Sequence, residues 1–382
     1  MYIFCKNSNP FQSHLSLVAK FCLIVSILFF STKLNAQLDN WQINSTVHIG
    51  KIVPHRSYFT PQITQPTFQY EISWSRQTTG KALWSRAYKK PEYGIGLVLA
   101  DFGDKNIFGR GIGILPFLNF KRQYKPFNFN MKVGVGIAYI SKTYHPINNP
   151  TNNGIGGHFN NLTRFELGFQ RQIIKQLSAS ANLSVTHYSN GNTEQPNLGI
   201  NILGASVGFT YLFNPSNAQY PDTLPQSDKR FKISLHAGFG VGSLIINGGP
   251  NYPVYIAGLY LNRNVSIKGR VMLGFNYEYH YSTRRFIELM GSFTESKDLK
   301  SSQIIVMGGY ELLLNHFSIP VQIGTYIYNP FLKKGNLVVK LGAKYHFKDT
   351  YQTNRFNPYI GIFLKAHGAS ADFTEMAIGI EF

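Results

Sequence analysis

The sequence predicts an all-β fold, a transmembrane antiparallel up-and-down β-barrel of about 14–16 strands, and three observations predict it. Long segments alternate between apolar and polar residues, charge is scarce, and the chain ends in an alternating strand closed by Phe382. Successive side chains of a strand point to opposite faces, so alternation marks a wall with lipid on one side and water on the other.

Composition supports the same class. Charged residues make up 14% of the chain, against roughly 25% in ordinary globular domains. Aromatics make up 15%, there are 35 glycines, and the mean hydropathy is still slightly negative at −0.13. The longest apolar run, residues 21–30 (FCLIVSILFF), is far shorter than the roughly 20 residues a membrane helix needs. Lys6 and Lys20 precede or flank it and Leu34-Asn35-Ala36 follows, so residues 1–36 read as a secretory signal peptide that is removed. Both cysteines, Cys5 and Cys22, lie within it. The mature chain, 37–382, is therefore expected to have no disulfide, no thiolate chemistry and no cysteine metal site. No cysteine stands at the cleavage point to carry a lipid anchor.

The formal charge of +19 includes Lys6, Lys20 and Lys33 of the leader, which has no acid; removing those three leaves +16. Such an excess favours anionic partners, and for an exported chain outer-membrane lipid headgroups and lipopolysaccharide phosphates come first. Basic loops without a specific ligand are an equally good reading. Nucleic-acid binding has no motif behind it beyond charge.

Taken in order, the strand candidates are 42–50, 68–75, 92–101, 110–120, 127–139, 163–172, 177–189, 200–213, 230–242, 253–262, 271–281, 303–314, 318–328, 336–347, 357–367 and 371–382. The clearest carry Phe68, Tyr70, Ile72 and Trp74, then Phe127, Phe129, Met131, Val133 and Val135, then Val271, Leu273, Phe275 and Tyr277 on one face. About 16 segments is an even number, as is usual for bacterial barrels. Gly238, Gly240 and Gly242 give the ninth a small inner face; with no helix after them they are no phosphate loop. With the N-terminus in the periplasm, 121–125, 173–176, 262–264 and 315–317 become periplasmic turns, and 143–161 and 282–301 external loops. The Pro-, Ser- and Asp-rich stretch 214–230 divides the chain into halves, 37–213 and 231–382. Either one barrel carries a long turn there, or two eight-stranded barrels stand in tandem.

The densest polar cluster is His187-Tyr188-Ser189-Asn190-Gly191-Asn192-Thr193-Glu194-Gln195-Pro196-Asn197-Leu198-Gly199-Ile200-Asn201. Counting by twos from Leu183 and Val185 brings His187 and Ser189 to the lipid face. Counting back from Leu203 does the same for Asn201. An imidazole two residues from a hydroxyl, with a carboxamide across the hairpin, is the set a serine nucleophile needs. The same spacing also suits ordinary polarity at a barrel rim.

His187-Tyr188-Ser189-Asn190, Gln195-Pro196-Asn197 and Gly199-Ile200 resemble the active-site hairpin of the lipid A 3-O-deacylase (PagL-like) and acyloxyacyl hydrolase family of outer-membrane barrels. The likeness is close over roughly 25 residues and covers the barrel pattern more loosely. It implies that 37–213 is the deacylase-like half, located in the bacterial outer membrane, and that it is a carboxylic ester hydrolase. The implied reaction removes an ester-linked acyl chain from lipid A or a related glycolipid, with no cofactor and no metal. It further implies Ser189 as nucleophile, His187 as general base and Asn197, with loop N–H groups, as oxyanion donor. Asn201 stands where the family has the glutamate that orients the histidine, which is expected to reduce activity. Glu194 is a minor candidate for that carboxylate.

Two other readings compete. Inner polar positions such as Glu71, Lys132 and Glu278 suit a channel or transport barrel without catalysis, and the long loops suit an adhesin-like barrel. His367, before Gly368-Ala369-Ser370-Ala371-Asp372, is expected to mark a plain turn, or else a second polar rim cluster or a degenerate counterpart of the first.

Overall fold

The computed structural model describes residues 39–382 except 55, 216–219, 221–222, 244–246, 248, 292–295, 332–334, 352–355 and 369. The signal-peptide reading, with both cysteines, lies outside the described residues. Among the described residues sixteen strands form. They are β1 (Trp41–Ile52), β2 (Thr67–Gln77), β3 (Glu92–Asp101), β4 (Arg110–Tyr124), β5 (Phe127–Ile140), β6 (Phe159–Gln172), β7 (Leu177–Ser189), β8 (Ile200–Leu212), β9 (Phe231–Ser243), β10 (Asn251–Ser266), β11 (Gly269–His280), β12 (Ser302–Leu314), β13 (Phe317–Tyr328), β14 (Leu337–His346), β15 (Asn357–His367) and β16 (Ser370–Glu381). Of the two arrangements left open by the sequence, the chain takes the tandem one: β1–β8 and β9–β16 each close into an antiparallel barrel. The edge of β1 is used up by β8, with Val47 opposite Val207, so β9 must find its closing partner in β16, with Ala237 opposite Ile378.

Alternation decides which side faces out. On β11, Val271, Leu273, Phe275 and Tyr277 are exposed, whereas Arg270, Met272, Asn276 and Glu278 are buried in the lumen. An eight-stranded barrel is just wide enough for side chains to fill it. In the first barrel, Glu71 on β2 meets Arg164 on β6 at 2.7 Å and Lys132 on β5 at 2.5 Å, and Lys132 lies 3.5 Å from Glu166. In the second, Arg270 meets Glu311 at 2.7 Å, Lys340 meets Glu375 at 2.7 Å and Lys365 meets Glu278 at 2.5 Å. Buried charge is tolerated because each carries an opposite partner. Glu71, Lys132 and Glu278, the inner polar positions that suited a channel, are thus each held in an ion pair inside a barrel, which speaks against that reading.

Several boundaries differ from expectation. Residues 262–264 lie inside β10, where Asn262 faces the lumen and donates to Ser234 Oγ at 2.6 Å; the turn falls at Ile267 and Lys268. An inward Asn is as good a strand residue here as a turn residue, because the lumen is polar. Likewise β4 runs on to Tyr124, leaving Lys125 and Pro126 as the turn. The loop 282–301 carries helix, in α2 (Tyr281–Leu289) and α3 (Lys297–Lys300). A short α1 (Leu83–Ala87) precedes β3.

The barrels touch at both ends. At the end with the short turns, Tyr88, just after α1, donates to the carbonyl of Lys268 at 2.7 Å. Burial and the neighbouring Tyr310 hold its hydroxyl well above the ordinary tyrosine range, so it stays a donor. At the loop end, Asn192 Nδ2 donates to the carbonyl of Asp372 at 2.8 Å.

Candidate active site

The site is built on the outer wall of the first barrel where β7 and β8 reach the loop end. Leu183 (69% exposed) and Val185 (47%) point outward, and Ser184, Thr186 and Tyr188 point into the lumen. The two-residue rhythm continues through His187 to Ser189. Register places His187 opposite Asn201 on β8 and opposite Thr163 on β6.

The three polar groups form one chain. Ser189 Oγ donates to His187 Nε2 at 2.9 Å, and His187 Nδ1 donates to Asn201 Oδ1 at 2.7 Å. An amide oxygen can only accept, so this contact fixes the proton on Nδ1 and leaves the Nε2 lone pair for the hydroxyl. Gly199, at φ +75°, leaves room for the imidazole: a Cβ there would stand 2.9 Å from His187 Cε1.

Rigidity comes from behind and from the loops. The lumen faces of the same strands supply Tyr188, Ile200 and Ile202 to an apolar plug with Phe102, Phe108 and Leu162, and the Tyr188 ring meets Phe102 edge-on at 5.2 Å. Across the rim, the β5–β6 loop clasps the hairpin, since Gly199 N–H donates to Gly154 O at 2.8 Å and Leu198 N–H to Asn153 O at 3.2 Å. Loop backbone held in this way is pre-organised for chemistry.

The other sequence candidates fall out differently. Asn197 sits beside the site, but its Oδ1 accepts the N–H of Asn190 at 3.0 Å, so Nδ2 is the group it has to offer. Glu194 is exposed and its carboxylate packs over Gly157, while the Nδ1 position it would serve is held by Asn201. The structure therefore does not bring Glu194 to the histidine; its place in the loop, outside the strand rhythm, turns it away. His367 lies inside the second barrel, stacked on Tyr326 with Nε2 2.6 Å from the phenol oxygen and Nδ1 3.8 Å from Asp372. Ser370 stands opposite it in register, but the Tyr326 hydroxyl is the group at its Nε2, so the arrangement differs from that of the first set. Gly238, Gly240 and Gly242 lie in β9, their inner side filled by Glu375 and Phe373.

Two polar groups were not singled out from the sequence. Thr163 and Asn161 stand beside His187 and Ser189 on the same outer wall, and Thr163 Oγ1 donates to Asn161 Oδ1 at 2.6 Å. Counting by twos from Phe165 and Leu167 would have placed them there. Among the described residues, His48, Glu71 and Glu166 cluster as metal ligands do. Lys132 and Arg164 already hold these carboxylates, and two cations beside the cluster oppose a third.

Two family profiles match the chain: lipid A 3-O-deacylase (PagL) over residues 68–210 and the acyloxyacyl hydrolase C-terminal domain over residues 231–382. Among solved structures, the outer membrane enzyme PagL is similar at 14% identity, covering 43% of this chain and 97% of that chain, with a TM-score of 0.34. The KdgM porin is similar at 9% identity, covering 71% of this chain and 92% of that one, with a TM-score of 0.17. The translocator domain of autotransporter NalP from Neisseria meningitidis is similar at 10% identity over 98% of this chain and 97% of that one, with a TM-score of 0.19. No curated protein matches the chain.

Proposed function

Because this chain belongs to the lipid A 3-O-deacylase and acyloxyacyl hydrolase families of outer-membrane β-barrels, we propose that it is a serine esterase removing an ester-linked acyl chain from lipid A or a related glycolipid. The observation that carries this reading is the Ser189–His187–Asn201 chain, at 2.9 and 2.7 Å, on the face turned to acyl tails.

The steps follow from the donor set. Ser189 Oγ attacks the ester carbonyl as its proton passes to His187 Nε2. Asn197 Nδ2 and hairpin N–H groups stabilise the oxyanion, and His187 returns the proton to the leaving sugar alcohol. Water, deprotonated by the same nitrogen, then attacks the acyl-serine, and His187 passes that proton to the departing Ser189 Oγ as the fatty acid is released. Asn201 orients the imidazole throughout, but as a neutral amide it does not offset the imidazolium charge. Polar groups on a lipid face are costly unless paired; here each is paired with the next, and the set sits at the rim.

The test is lipid A mass spectrometry in cells expressing the wild type, Ser189→Ala or His187→Ala. Wild type alone should shorten the acyl complement, and the alanine variants should lose at least about 10³-fold in rate. An identical pattern in all three sinks the esterase reading.

A further inference from the structure

The catalytic hairpin has a neighbour from the other half of the chain. Gly191, at φ +65°, lies against the outer wall of the second barrel. A Cβ there would overlap Thr374 Oγ1 and stand 3.5 Å from Leu364 Cδ1. Leu364 and Thr374 are half-buried, although Ile362 and Met376 on the same outer face are exposed.

Asn192 ties the two together. Its Nδ2 donates to Asp372 O at 2.8 Å, and its backbone N–H donates to Asn190 Oδ1 at 3.0 Å. Asn190, the residue after Ser189, in turn gives its own N–H to Asn197 Oδ1. The carbonyl it reaches is not an ordinary ladder group. Lys365 pairs Phe373 and Ala366 pairs Ala371, so Asp372 is the extra residue of a β-bulge, a feature that re-aims backbone at rims and sites.

A hairpin tip on a barrel rim is ordinarily the most mobile part of the chain. Here it is clamped within three residues of the nucleophile, and a displacement of about 1 Å between reacting groups costs on the order of 10²-fold in rate. We propose that the second barrel is a positioning element for the first: through Asn192 and the close approach at Gly191, it holds the turn after Ser189 so that hydroxyl and imidazole stay in register. This rests on the esterase reading above.

The experiment uses the full chain in mixed micelles with lipid A and compares Asn192→Ala and Thr374→Leu with wild type, with Met376→Leu as a control on the same outer face. Deacylation kinetics are read alongside the rate at which a fluorophosphonate labels Ser189, and heat-dependent gel mobility reports whether the barrels are closed. Both variants should lower kcat about 10-fold or more, with KM within about twofold, and slow labelling in proportion. Met376→Leu should match wild type. Should Thr374→Leu fail to close its barrel, Asn192→Ala, in a loop of the other barrel, still decides the matter. Wild-type turnover and labelling in the variants, with Ser189→Ala inert, overturns the positioning role and leaves the esterase reading standing. Turnover by Ser189→Ala removes both.

Discussion

Asn201→Asp isolates the charge that Asn201 lacks in its proposed role of orienting His187. The side chains have the same shape, so the 2.7 Å contact to His187 Nδ1 is kept and only a negative charge is added. Imidazolium and carboxylate centres about 4 Å apart attract by ~1 kcal/mol in water and ~4 kcal/mol at an effective dielectric of 20. The half-buried rim lies between these limits. Since ~1.4 kcal/mol is tenfold in rate, plateau kcat should rise by about 10- to 100-fold. The same attraction stabilises the resting imidazolium, so less neutral base is present at low pH. The acid limb of the pH–rate profile should therefore move up by about one to two units, so that the two effects nearly cancel below the limb and the variant is faster than wild type above it. Fatty-acid release from lipid A micelles across pH reads both effects. An acid limb that moves without any rise in the plateau would refute the reasoning, because the histidine would then feel the carboxylate without gaining charge in the rate-limiting step.

Other perturbations test the scaffold. Gly199→Ala places a methyl 2.9 Å from His187 Cε1 on left-handed backbone, a conformation costing about 1–2 kcal/mol; kcat should drop at least about tenfold while the barrels stay closed on gels, and unchanged turnover would show that the imidazole does not depend on this contact. Glu71→Gln leaves Arg164 and Lys132 without their shared carboxylate, which should cost about 3–5 kcal/mol in denaturant unfolding from micelles; a shift under ~1 kcal/mol would mean that the lumen pairs are solvated. In planar bilayers the chain should give no steady conductance, since side chains fill both lumens, and regular ohmic steps would restore the channel reading.

Much of this was legible in the sequence because a barrel wall is a local pattern. Two-residue alternation located the strands and placed His187, Ser189 and Asn201 on one face, since parity along a strand needs no knowledge of what lies across it. Closure was not legible: whether β8 pairs with β1 or continues to β9 is a contact between distant residues, and the intervening stretch 214–230 reads the same either way. The turn expected at 262–264 failed for a related reason. Asn serves both turns and polar lumens, and only the far wall, where Ser234 waits for Asn262, distinguishes them. The clamp on Asn192 was equally hidden, because its partner is a backbone carbonyl exposed by a bulge 180 residues away.

The even strand count of each barrel has a geometric result. Eight crossings return the chain to the side from which it set out, so β9 starts its first crossing in the same direction as β1. The β9–β10, β11–β12, β13–β14 and β15–β16 hairpins of the second unit then emerge from the leaflet that holds Ser189. Had the first unit possessed seven or nine strands, the second would stand inverted, with its Asp372 bulge facing the opposite aqueous compartment and nothing there for Asn192 to grip.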